Sequence, residues 1–149
     1  MRAHACIAAV AAGLLATGLM TGRAAAEMPG DGCWLNDTPT FSMTVCISAG
    51  AGKDVVMSWD EPASPGYEAS YGRCAGRIDV TGGAGMAFTM RVPRQEQACQ
   101  QDGSTMRLAV REYECTLTNP MAFTCSEVIF NDDGSIYAQS QGVEFIPLP

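Results

Sequence analysis

Histidine is almost missing from this chain. Its one copy, His4, sits near the start, ahead of an export cleavage site, so the processed protein is expected to carry none. That removes the usual base for a serine nucleophile and the commonest zinc ligand. Lysine is nearly as scarce, with Lys53 the single example, and one exposed amine is a weak substitute for an imidazole base. Basic residues number 9 against 16 acidic ones, a balance unsuited to gripping phosphate backbones or anionic membranes. No Cys-x-x-Cys pair occurs, which excludes the usual dithiol redox motif. After residue 26 no amphipathic helical pattern appears, and nothing there is long and apolar enough to span a bilayer. The expectation is a protein with no catalytic residues, no metal, no cofactor, no nucleic-acid partner and no membrane span. Paired carboxylates of the glycosidase type are the one enzymatic chemistry left open, and no pair among the acids stands out.

What is present begins with residues 1–26. Arg2 and His4 precede an apolar run from Ile7 to Leu19, and Ala24-Ala25-Ala26 supplies small residues for cleavage. This predicts a signal peptide of bacterial type, a mature chain starting at Glu27, and a periplasmic or secreted address. Removing it takes Arg2 and Arg23, leaving 7 basic against 16 acidic residues and a net charge of −9. The remaining segment, 27–149, suits a single domain. Cys6 leaves with the signal. Six cysteines stay: Cys33, Cys46, Cys74, Cys99, Cys115 and Cys125. An even count behind an export signal reads as three disulfides in an oxidising compartment. Sequential pairs are preferred: Cys33–Cys46, Cys74–Cys99 and Cys115–Cys125.

The last of these follows from a hairpin. Between Thr105 and Phe130, apolar residues alternate at Met106, Leu108 and Val110, then at Tyr113, Cys115 and Leu117, and Asn119-Pro120 makes a turn. Phe123, Cys125, Val128 and Phe130 mark the return. Facing Leu117 with Phe123 sets Cys115 opposite Cys125. The apolar set changes parity at Arg111-Glu112 and again at Ser126-Glu127, which predicts bulges near both.

Earlier in the chain, Phe41, Met43, Val45 and Ile47 alternate, and Val55, Met57 and Trp59 mark a partner strand after a glycine-rich turn at 49–53. Prolines in Glu61 to Gly66 make a loop. A strand from Tyr71 to Val80 is expected to pair with one from Met86 to Val92, with Cys74–Cys99 clamping the open end of that hairpin. Pro93 to Ser104 reads as irregular. Asn131-Asp132-Asp133-Gly134 is a turn rather than a calcium loop, because the EF-hand spacing is absent. Short strands at 135–139 and 143–146 follow. Met43, Met57, Met86, Met90 and Met106 read as core packing, and Arg73, Arg77, Arg91, Arg94, Arg107 and Arg111 as faces paired with acids such as Asp79, Glu112 and Glu114.

These elements predict an all-β fold: an antiparallel up-and-down barrel of about eight strands, with a disulfide-linked β-sandwich as the alternative. The opening Gly32-Cys33-Trp34 resembles that of lipocalin-type barrels. Gly32-Cys33-Trp34-Leu35-Asn36-Asp37, followed by Met43-Thr44-Val45, is similar to the opening of avidin-like barrels. The resemblance implies a barrel with an apolar mouth; the cysteines depart from the avidin pattern, and biotin is not implied.

Two functions compete. In one, an exported non-enzymatic binding protein holds a small apolar ligand inside the barrel, near Trp34, Met57, Trp59, Phe88 and Met90. In the other, a secreted or periplasmic inhibitor or interaction module engages an extracytoplasmic protein through loops at 61–67 and 93–104. A filled interior with projecting loops favours the second.

Overall fold

A computed structural model describes residues 28–63, 65–66, 68–94, 97–106 and 108–149, with the Met106 side chain outside the description. The segment 1–26 expected to be a signal, Glu27 and Arg107 therefore lie outside the described residues. Among the described residues eleven strands run in the order β1 (Gly32–Asp37), β2 (Phe41–Ser48), β3 (Ala51–Glu61), β4 (Ser70–Gly76), β5 (Asp79–Gly82), β6 (Ala87–Val92), β7 (Ala98–Gln101), β8 (Ser104–Met106), β9 (Val110–Asn119), β10 (Ala122–Phe130) and β11 (Ile136–Pro147). No helix among the described residues is long and apolar enough to cross a membrane.

All eleven join in one antiparallel sheet, ordered β5-β6-β9-β10-β11-β1-β2-β3-β4-β7-β8. The sheet curls into a half-barrel. Its two halves meet at a narrow seam, where β1 pairs with β11 only at Trp34↔Pro147 and Leu35↔Ile146.

Alternation builds the interior. Met43, Val45 and Ile47 of β2 face inward beside Val55 and Met57 of β3; Phe88, Met90 and Val92 of β6 do the same in the other half. Phe123 stacks on Phe145 with ring centroids 4.9 Å apart, and Phe88 meets Phe123 edge-on at 5.1 Å. Each such side chain contributes roughly 1.5–3 kcal/mol by leaving water. All three disulfides take the sequential pairing, each linking residues directly opposite on neighbouring strands. Leu117↔Phe123 sets the register that brings Cys115 to Cys125, and Met121 N–H donates to Asn119 Oδ1 in the turn.

Several expectations fail in detail. The Tyr71–Val80 strand breaks at Arg77-Ile78: β4 stays with β3 and β7, β5 leaves to pair with β6, and buried Ile78 marks the crossing. Cys74–Cys99 therefore ties β4 to β7 and does not clamp the β5–β6 hairpin. Much of Pro93 to Ser104 is not irregular, since β7 and β8 form a hairpin there. The long hairpin starts at Val110, because Ser104–Met106 pairs with β7 instead. The segments 135–139 and 143–146 are one strand, β11.

The bulge forecast is corrected too. From Val110↔Phe130 to Leu117↔Phe123 the β9–β10 register is unbroken, so no residue is inserted at Arg111-Glu112. The irregularity near Ser126 puts the extra residue on β11, where Gly142 has φ +69°. No switch of face is needed, because Arg111 and Glu127 point inward together and Val128 and Phe130 turn outward.

Candidate functional site

Four of the five residues predicted to hold a ligand lie deep in the interior: Trp34, Met57, Phe88 and Met90 are each at most 4% exposed. The Trp34 indole N–H donates to the Met121 carbonyl at 3.3 Å, and its ring lies 5.7 Å from that of Phe123. Trp59 is half-buried at one end of the same face. A cross-strand partner, Gly72, makes room for it: a Cβ on that glycine would run into Trp59 Cζ2. The fold thus brings the predicted residues into one apolar region, and the rings of Phe123, Phe145 and Tyr113 fill it. Two depressions of about 590 and 550 Å³ open instead on the outer faces, the first beside Arg73, Gln97 and Gln100, the second beside Glu114, Thr116 and Thr124.

The interior also contains a polar group that apolar counting passes over. Glu127 Oε1 accepts hydrogen bonds from the Tyr113 hydroxyl and from Arg111 Nη1, each at 2.6 Å. The same hydroxyl lies 3.1 Å from Met43 Sδ, and the Arg111 guanidinium sits 5.3 Å over the Phe41 ring. Burial, reinforced by the Glu127 carboxylate, pushes the Tyr113 phenol far above its ordinary range. Burial opposes the Arg111 charge, but the Tyr113 oxygen and the Glu127 carboxylate outweigh it and raise its pKa. A phenol held protonated and a carboxylate oxygen with two donors make a lock between strands. The signal for it was present: continuing the period-two pattern from Cys115 to Tyr113 and Arg111, and from Cys125 to Glu127, places all three inside.

The loop-bearing edge has a different character. The 61–67 loop leaves β3 at Glu61, and the β7–β8 turn passes through Asp102 and Gly103. A double hydrogen bond ties their neighbourhoods together: Tyr71 N–H donates to Asp102 Oδ1 and Asp102 N–H donates to the Tyr71 carbonyl, both at 3.1 Å. Asp60 N–H donates to the Thr40 carbonyl at 3.0 Å, adding the 37–40 turn. A groove of about 160 Å³ runs between Asp37, Pro39, Ser58, Asp60 and Tyr71. Tyr71 is 55% exposed. Of the described residues in the 93–104 segment, the Asp102–Gly103 turn belongs here, whereas Ala98 pairs with Ala75 at the far end of β4.

Several other charged side chains pair locally. Asp133 Oδ1 accepts from Ser135 N–H at 2.9 Å and Ser135 Oγ at 2.6 Å, which lowers the Asp133 pKa and closes the turn. Arg91 pairs with Glu112 at 3.0 Å and Arg94 with Asp132 at 2.6 Å, while Arg73 and Arg77 are exposed. Among the described residues, no three His, Cys, Asp or Glu side chains gather to hold a metal. No protein-family model, curated protein or solved structure matches the chain.

Proposed function

We propose that this chain is an exported, non-enzymatic interaction module that engages another extracytoplasmic protein through the edge formed by the described residues of the 61–67 loop, Tyr71 and the Asp102–Gly103 turn. The observation that carries this reading is the Tyr71–Asp102 clasp, which ties the start of β4, where the chain returns from the 61–67 loop, to the β7–β8 turn. The Cys74–Cys99 bond lies three residues further along the same pair of strands. Pre-ordered loops lose less entropy on binding, so such an edge suits recognition. The filled interior supports protein recognition over carriage of a small apolar ligand, because a guest would have to displace packed rings. The half-barrel is read as a filled variant of the lipocalin- and avidin-like barrels that Gly32-Cys33-Trp34 resembles. Three disulfides fit the oxidising, periplasmic or secreted setting in which the module would work.

The test is photo-crosslinking in the exporting cell, with the reactive group at position 71 or, as a control, at position 118 near the end of β9. Crosslinking to one defined protein from position 71 alone, lost in Asp102→Lys, is the expected result. A small apolar molecule that raises the melting temperature and shifts tryptophan emission, with no crosslink from position 71, would return the ligand-carrier reading.

A further inference from the structure

The three disulfides differ in where they sit. Cys74, Cys99, Cys115 and Cys125 point into the interior and are each at most 2% exposed. Cys33 and Cys46 alternate with inward-facing Trp34, Val45 and Ile47, so their bond lies on the outer face and both residues are partly exposed. Exchange begins with a thiolate reaching a disulfide sulfur, so access decides which bond reacts.

Charge shapes the approach. Asp54 stands directly across from Cys46 on β3, in the same outward row. Asp31 is close by, its Oδ1 accepting from Ala49 N–H just past the end of β2. Lys53, with its Nζ 4.0 Å from Asp54 Oδ2, offsets only part of that field. Carboxylates beside the sulfurs repel an anionic thiol and attract a cationic one.

We infer that Cys33–Cys46 is a thiol–disulfide exchange site, selective within the folded protein and favouring cationic over anionic thiols. A reagent thiolate attacks one sulfur, the Cys33–Cys46 bond breaks, and a mixed disulfide forms while the other cysteine leaves as a thiolate. A second reagent thiolate attacks the mixed disulfide, releasing oxidised reagent and the second cysteine. Two electrons pass from reagent to protein, and water protonates the thiolates according to their pKa. Opening this bond leaves the sheet paired: β1 keeps six register pairs with β2, and Leu148 N–H still donates to the Cys33 carbonyl at 2.8 Å.

The experiment treats the folded, oxidised protein without denaturant, using cysteamine or mercaptoacetate at equal thiolate concentration. Free thiols are trapped with iodoacetamide and mapped by mass. The expected result is labelling confined to Cys33 and Cys46, with unchanged circular dichroism. Cysteamine should react several-fold faster, and Asp54→Asn or high salt should narrow that ratio. Labelling of Cys74, Cys99, Cys115 or Cys125 at a matching rate overturns the inference, as does reduction only on unfolding. Equal rates for the two reagents at low salt overturn the charge selectivity.

Discussion

The Tyr113 hydroxyl donates to Glu127 Oε1 at 2.6 Å across a rung where the two residues face each other on β9 and β10. The same oxygen accepts from Arg111, so one carboxylate holds two partners inside the sheet. Removing it strands a buried guanidinium. Glu127→Ala is expected to lower unfolding stability by about 3–5 kcal/mol, and Tyr113→Phe by about 1–2 kcal/mol, both read by urea denaturation. A Glu127→Ala protein as stable as the parent would show that water reaches Arg111 freely.

The phenol adds a pH signature. Its folded pKa lies above the unfolded value of about 10, so folding favours the protonated form. The resulting stability is complete below pH ~10 and is lost as pH rises through the folded value. Stability should therefore fall on the alkaline side, and Tyr113→Phe should flatten that fall. Absorbance titration at alkaline pH should find one tyrosine of the 4 that ionises only on unfolding.

Trp59 lies across Gly72, and a Cβ there would strike the indole. Gly72→Ala should cost about 1–3 kcal/mol by overpacking and shift tryptophan emission to the red as Trp59 is displaced. Trp34, buried and hydrogen-bonded to Met121, supplies an emission component that should not move.

Replacing disulfides pairwise by alanine should rank by burial and loop length. Each loss costs about 2–4 kcal/mol through the unfolded state. The Cys74–Cys99 double variant should be the least stable, because that bond closes the longest loop, 25 residues, and both cysteines are buried. Cys33–Cys46, spanning 13 residues on the outer face, should cost less. Thermal melts of the three variants check the order.

Export should remove residues 1–26 and leave Glu27 at the N-terminus, as intact mass and N-terminal sequencing of the exported protein would register. A retained Met1 would mean that the apolar run is an anchor and not a cleaved signal.

Local chemistry in the sequence determined the strands and their pairings wherever partners are close in the chain. Alternation at Phe41 to Ile47 and Val55 to Trp59, the Asn119-Pro120 turn and the Cys115–Cys125 register were all readable, because a strand's period and a short turn fix which residues face each other. Tertiary structure decided what depends on distant neighbours. The chain leaves one half of the sheet for the other at Arg77-Ile78 because Ile78 finds burial there. Arg111 and Glu127 face inward because each neutralises the other, an arrangement that a polarity rule applied to single residues rejects. Whether Trp34, Met57, Phe88 and Met90 line a cavity or a filled core depended on Phe123 and Phe145, which join them in one core only once β10 and β11 are in place. The Tyr71–Asp102 clasp joins residues 31 positions apart, and no local pattern in either segment specifies that meeting.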